Sequence, residues 1–436
     1  MSDNPVTRNA LWMLLGQGLR LLVQVAYFIL IARGLGVEQF GAFVGVVSLV
    51  AILAPFAAIG SGNLLIKNVS RDRTLLAECW GNALFMAFTS GALLTVVVVA
   101  LSRMILPGSI PGLLVFLVAV SDLVFAVLLG VAGQVFQAME KLGKTAVLNV
   151  LLSVLRLVAA LLLVRLVDTP DSLAWAGFYL LSTAASSLIA VGLVHRRLVH
   201  PKFAPARIKA ELIEGSYFAV ALSAQSIYND IDKTMLTRLA TLSAAGVYAA
   251  AYRLIDVAFI PVRSLLYAAY PEFFRKGSSG VNASAQFAKR LLRGAAIYAT
   301  GVGVAIFWAA PIVPSILGAD YASTAEAMRW LAPLPLLKAM HYFAGDTLTG
   351  AGYQGRRTLA HVSVAVANVL LNMWLIPVYS WKGAAWASLA SDTMLALGLW
   401  GTVALLYRQQ ALGRNGTQAI LEPGVIENSQ RVISST

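Results

Sequence analysis

Arg20, Arg156, Arg253 and Lys338 stand inside long apolar stretches of the sequence, and so do Asp122, Asp230, Asp232, Asp256 and Asp392. A charge buried in hydrocarbon costs about 2.5–3.5 kcal/mol on the scale of helix insertion, so these residues need partners or a wet cavity. Fixed cations at that depth suit an anionic head group. Of the carboxylates, Asp122, Asp230, Asp232 and Asp256 are candidates for exchanging H⁺ or Na⁺. The plain alternative is that pairs such as Arg253 with Asp256 only join helix to helix. Spacing gathers several of these groups: Gln17, Arg20 and Gln24 recur at i, i+3 and i+7 and share a helix face. Gln225, Asn229 and Asp232 repeat that pattern, and Arg253, Asp256 and Arg263 form another stripe, with Pro261 nearby to loosen the backbone.

Other chemistry lacks its residues. Gly350-Ala351-Gly352-Tyr353-Gln354-Gly355 satisfies G-x-G-x-x-G but follows an apolar helical run instead of a strand, with no acidic residue about twenty positions on, so it reads as a tight turn. No Walker A pattern and no G-x-S-x-G elbow occur. His195, His200, His341 and His361 show no metal-site spacing, and Cys79 is the single cysteine, which excludes internal disulfides and reads as structural. No metal, no cofactor and no enzymatic activity are expected.

The elements that position the charges follow from composition. Of 436 residues 59% are hydrophobic and 12% charged, against about 25% charged in a soluble domain. Runs of spanning length lie near residues 10–32, 40–59, 82–101, 112–130, 146–164 and 173–194, and after a basic stretch near 217–237, 245–268, 291–317, 325–348, 358–378 and 384–406. That predicts an all-α polytopic membrane protein of about twelve transmembrane helices. The first run lacks a cleavage site and is expected to be retained. The run near 217–237 carries Gln225, Asn229, Asp230, Asp232 and Lys233 and should face the protein interior. Pro311, Pro314, Pro333 and Pro335 predict kinks or gaps.

When alternate loops are assigned to opposite faces, Arg71, Arg73, Lys141, Lys144, Arg196, Arg197, Lys209, Arg356, Arg357 and many others share one side. Only Arg33, Arg103, Arg165, Arg238 and Lys382 fall on the other. Both termini are therefore expected in the cytoplasm, and the net charge of +13 serves to orient helices instead of binding nucleic acid. The halves resemble each other in the same direction: Arg33, Gly41 and Phe43 match Arg238, Gly246 and Tyr248 at one offset. Gly143-Lys144 meets Gly355-Arg356, and Ala174-Trp175-Ala176 meets Ala385-Trp386-Ala387, at nearly that offset. A parallel repeat of six-helix bundles is predicted, at residues 1–200 and 215–406, with a basic cytoplasmic linker at 201–214 and a polar, disordered cytoplasmic tail at 407–436.

Asn9-Ala10-Leu11-Trp12, the segment Ala32-Arg33-Gly34-Leu35-Gly36-Val37-Glu38-Gln39-Phe40-Gly41, and Asn68-Val69-Ser70-Arg71 resemble the polysaccharide biosynthesis or O-antigen (Wzx-like) flippase family of the multidrug/oligosaccharidyl-lipid/polysaccharide exporter superfamily. The resemblance implies a V-shaped, MATE-like pair of bundles in a bacterial cytoplasmic (inner) membrane. It implies a flippase that passes a polyprenyl-pyrophosphate-linked oligosaccharide, an O-antigen or exopolysaccharide repeat unit, to the outer leaflet by alternating access. In that light Arg20, Gln17, Gln24, Arg156, Arg253 and Lys338 are the substrate-binding candidates. A polysaccharide polymerase and a chain-length regulator are the protein partners implied, beside the bilayer itself. The sequence lacks the two extra C-terminal helices of lipid II flippases, which disfavours peptidoglycan precursor as cargo. A cation-coupled multidrug antiporter of the same superfamily is the alternative; a membrane sugar polymerase or acyltransferase is a more distant one, since the loops are short.

Overall fold

The computed structural model describes the backbone of residues 5–420 and most of their side chains. Among the described residues every regular element is helical. The α-helices are α1 Pro5–Ala57, α2 Ser61–Arg71, α3 Leu76–Ile105, α4 Gly112–Ala119, α5 Ala126–Ala138, α6 Leu142–Leu166, α7 Ser172–Arg197 and α8 Pro205–Leu239. They continue with α9 Leu242–Gly277, α10 Val281–Ala309, α11 Val313–Leu317, α12 Ala322–Leu331, α13 Leu334–Gly350, α14 Gln354–Tyr379 and α15 Trp381–Ile420. A bilayer demands this outcome, because backbone groups find no water there and must pair within their own segment.

All twelve apolar runs fall in helices. The first two share α1, which bends at Gly36, where a φ of 72° leaves helical space at no steric cost to glycine. By length and composition, nine helical stretches among the described residues can cross a membrane. The number falls below twelve for physical reasons. Two runs merge in α1; α8 carries Asp230, Asp232 and Lys233; and the tenth run is divided at Pro333 into α12 and α13. A short 3₁₀ turn at Ala310–Ile312 likewise separates α10 from α11 beside Pro311. Large apolar side chains such as Val96, Met104, Ile297 and Trp374 are 67–76% exposed, as lipid-facing residues must be. In the stretch read as a linker, residues 205–214 already belong to α8, opened by Pro205 in the first turn. The final helix continues past Leu406 to Ile420, and the rest of the tail, like Asp3 and the other extreme N-terminal residues, lies outside the described residues.

The chain forms two compact units. The first comprises Met1–Val257, Ala305–Ala332 and Ala365–Ser388; the second comprises Ala258–Val304, Pro333–Val364 and Leu389–Thr436. Lipid tails are as apolar as leucine, so helices in a bilayer associate by close packing and polar contacts. In the first unit α1 packs along α6 and α8. A reciprocal close approach joins it to the start of α9: a Cβ on Gly41 would overlap the Leu242 carbonyl, and a Cβ on Gly246 would overlap the Val37 carbonyl. Gly41 and Gly246 are partners in the sequence repeat, and so are Val37 and Leu242, so the contact has the self-complementary form of a local twofold. The α7–α8 connection is pinned to α3 by Asn82, which donates from Nδ2 to the Ala204 carbonyl (3.0 Å) and to Glu211 (3.1 Å) and accepts from the Ala204 N–H (2.9 Å). Cys79 is buried in an apolar cluster with Trp80, Leu65 and Val135.

In the second unit Phe259, Val262, Leu266 and Phe273 of α9 form a core with Ala295 of α10 and Ala339 and Phe343 of α13. Trp400 of α15 donates its indole N–H to the Met340 carbonyl at 3.0 Å, tying α15 to α13.

Candidate functional site

The first unit contains two polar clusters built on helices that the apolar runs predicted. One centres on Asp122. It lies in a single π turn, Val120–Phe125, between α4 and α5, and such a widened turn re-aims side chains at the cost of regular hydrogen bonding. Asp122 Oδ2 accepts from the Tyr179 hydroxyl at 3.1 Å and Oδ1 from the Ser121 hydroxyl at 3.2 Å. Arg156 of α6 approaches Asp122 Oδ1 at 3.8 Å, donates to the Thr183 hydroxyl at 3.4 Å and lies 4.1 Å from the centre of the Tyr179 ring. The side chains of Arg156 and Asp122 are 15% and 16% exposed, and the buried Nε of Arg156 has no hydrogen-bond partner. The guanidinium is thus held by charge, ring and hydroxyl while one donor stays uncommitted.

The second cluster joins α8, α9 and the start of α15. Lys233 binds Asp230 at 2.8 Å and the Asn229 carbonyl at 2.7 Å, with its ammonium 4.5 Å from the Tyr252 ring centre. Asp232 is buried and accepts from the Tyr248 hydroxyl, from the Ser388 hydroxyl at 3.2 Å and from the Lys233 N–H at 2.8 Å. Asp256 lies within electrostatic reach of Lys233.

Arg156, Arg253 and Tyr27 each lie within electrostatic reach of Arg20. Arg20, Gln24 and Arg253 are half-buried. Three of the four predicted cations therefore gather in the first unit. Lys338 belongs to the second, where it is buried on α13, and Arg263 also lies there, 5.8 Å above the Phe259 ring. The side chain of Gln17 lies outside the described residues. Tyr179, Thr183, Lys233, Tyr248, Tyr252 and Ser388 complete these clusters and were not among the sequence candidates. The polar stripe of α8 had marked Lys233, and Tyr248 had appeared only as the repeat partner of Phe43. No group of three His, Cys, Asp or Glu among the described residues is placed to hold a metal.

A multi-pass helical bundle with arginines and carboxylates in its interior defines a class: a polytopic membrane protein that holds charged side chains at membrane depth. The chain belongs to the polysaccharide biosynthesis protein family, whose sequence model matches residues 6–276. No curated protein matches the sequence. Among solved structures, an inward-facing multidrug resistance MATE family transporter of the MOP superfamily superposes with a TM-score of 0.74 at 16% identity, covering 89% of this chain and 96% of that one. The lipid II flippase MurJ in an inward closed conformation gives 0.74 at 11% identity, covering 91% of this chain and 87% of its own. A MOP superfamily transporter from Pyrococcus furiosus, described as having reversed polarity in its binding pocket, gives 0.62 at 16% identity over 92% and 96%.

Proposed function

We propose that the protein is a flippase that moves a polyprenyl-pyrophosphate-linked oligosaccharide, an O-antigen or exopolysaccharide repeat unit, from the cytoplasmic to the outer leaflet of a bacterial inner membrane by alternating access. The observation that carries this reading is the gathering of Arg20, Arg156 and Arg253 in a half-buried interior. Three like charges at membrane depth repel one another, and an anion among them relieves both the repulsion and the desolvation. A pyrophosphate offers that charge, in a form that arginine side chains bind with charge-assisted hydrogen bonds. Gln17 and Gln24 would contact sugar hydroxyls, and Lys338 is a further substrate-binding candidate on α13. The distribution of basic loops supports cytoplasmic termini, and in that orientation an inside-negative potential favours outward movement by about 2.3 kcal/mol per charge per 100 mV, without ATP. Asp122, Asp230, Asp232 and Asp256 are the coupling candidates of the first unit. A polymerase and a chain-length regulator would receive the exported units.

The structural likeness to multidrug transporters keeps an antiporter as the second reading. An arginine-rich interior opposes a cationic drug by the same repulsion. The test replaces Arg20 or Arg253 by Ala in cells lacking the native gene: lipid-linked repeat units are expected to accumulate on the cytoplasmic face while the protein stays in the membrane. Full export by both variants overturns the reading, and drug efflux by the wild type without such accumulation favours the antiporter.

A further inference from the structure

The second unit holds a polar group separate from the two clusters of the first. His341 of α13 and Asp392 of α15 approach to 2.9 Å between Nε2 and Oδ1, and both side chains are only 1% exposed. The two atoms are within ion-pair distance, without the alignment of a hydrogen bond between them. Tyr342 stacks on His341 with ring centres 4.6 Å apart and fixes the ring's plane. His361 of α14 lies edge-on, its ring centre 6.4 Å from that of His341. Arg357, one turn before His361 on α14, is within electrostatic reach of it and pairs with Asp346 of α13 at 3.1 Å. The order Asp392, His341, His361, Arg357 and Asp346 runs from a dry interior to the end of the α13–α14 hairpin, where Gln354, Gly355 and Arg356 are exposed.

Charge makes this pair a two-state element. With His341 neutral and Asp392 ionised the pair carries one net negative charge; with a proton added it carries none. Lys338, buried one turn earlier on α13, is the cation that can offset the deprotonated state. α9 and α10 bring the apolar Phe259, Val262, Leu266 and Ala295 to the core with α13, and α9 also brings Arg263, 5.8 Å above the Phe259 ring. The charged or titratable groups on these elements include Arg263 on α9, Lys338, Tyr342 and Asp346 on α13, Arg357 and His361 on α14, and Asp392 on α15. Chains of Asp, Glu and His inside membranes serve as proton relays in pumps and transporters, among other roles.

We propose that the His341–Asp392 pair is an exchangeable proton site, loaded and emptied through His361, and that its proton is the coupling ion of transport. The site stands on its own geometry; only its use in transport rests on the flippase reading. The sequence has four histidines, so ¹⁵N-imidazole labelling of the full chain in phosphatidylethanolamine–phosphatidylglycerol vesicles gives four assignable sets of signals, with His341→Gln identifying its own. Lowering the pH from about 8 to about 5 is expected to protonate His341 in the wild type and to leave it neutral in Asp392→Asn. His361→Asn should keep both end states and slow the exchange between them, a readout that a merely structural histidine would not move. A His341 signal that never changes, or that titrates alike in the wild type and Asp392→Asn, overturns the site. Coupling is read separately, as the loss of export when nigericin collapses the pH gradient: the wild type should respond and Asp392→Asn should not, and equal responses overturn the coupling role. Arg20→Ala should titrate as the wild type does, so failure of the flippase reading leaves the proton site standing.

Discussion

Phe43 and Tyr248 occupy matching places in the two halves of the repeat and differ by one hydroxyl. Phe43 lies edge-on to Trp175 (6.0 Å between ring centres) and Tyr179 (5.2 Å), an aromatic cluster whose outer ring carries Arg156. Tyr248 instead hydrogen-bonds Asp232 and, at 2.8 Å, Ser388. The first half thus holds its buried carboxylate, Asp122, with a tyrosine and an arginine from α7 and α6. The second holds Asp232 with a tyrosine and a serine, while its cation, Lys233, turns to Asp230. One duplicated scaffold has reached two solutions for a carboxylate at membrane depth: balance it with a cation, or surround it with donors.

The sharpest way to break that comparison is to remove the cation from the first solution. Arg156→Met leaves Asp122 buried with only hydroxyl donors and should destabilise the protein by about 3–5 kcal/mol, the usual result of breaking a buried pair from one side. Thermal unfolding in detergent, followed by size-exclusion chromatography, measures it. Adding Asp122→Leu should restore most of the loss, because apolar replacement of both partners is close to neutral. A double variant no more stable than Arg156→Met would show that the arginine is held by Tyr179 and Thr183, and that the pairing with Asp122 is incidental.

The two solutions were not equally legible in the sequence. The helices were, because period and run length suffice where backbone groups can be satisfied only within a segment. The charged run of α8 was read as facing inward, and Asp232, Lys233 and Thr234 are buried. The partners were not legible: Asp122 with Tyr179, Asp232 with Ser388 and His341 with Asp392 join residues far apart in the chain, and no local spacing encodes them. The π turn at Val120–Phe125 was hidden too, since its residues continue an apolar run without a break. Lys338 was grouped with the arginines because all four have the same charge and similar depth, yet it sits in the other unit.

Exchanging the distinguishing hydroxyl sharpens the comparison with a smaller effect. Tyr248→Phe withdraws a donor from Asp232 and leaves Ser388 and the Lys233 N–H, so a loss of about 1–3 kcal/mol is expected from the under-satisfied carboxylate. The reciprocal Phe43→Tyr places a hydroxyl among Trp175 and Tyr179 and should cost about 1–3 kcal/mol if that oxygen finds no partner. Equal stability of Tyr248→Phe and the wild type in the same melting assay would mean that Asp232 does not depend on its tyrosine.

The smallest effect belongs to a pair that has both charges but not the burial. Lys382 and Glu326 meet at 2.7 Å, closer than Arg156 and Asp122, yet their side chains are 40% and 50% exposed. Water and ions screen such a pair, and ordering two long side chains offsets what attraction remains. Lys382→Met should therefore change stability by less than about 1 kcal/mol. A loss as large as that of Arg156→Met would make distance, not burial, the quantity that governs ion pairs in this protein, and the contrast between its two halves would then need a different cause.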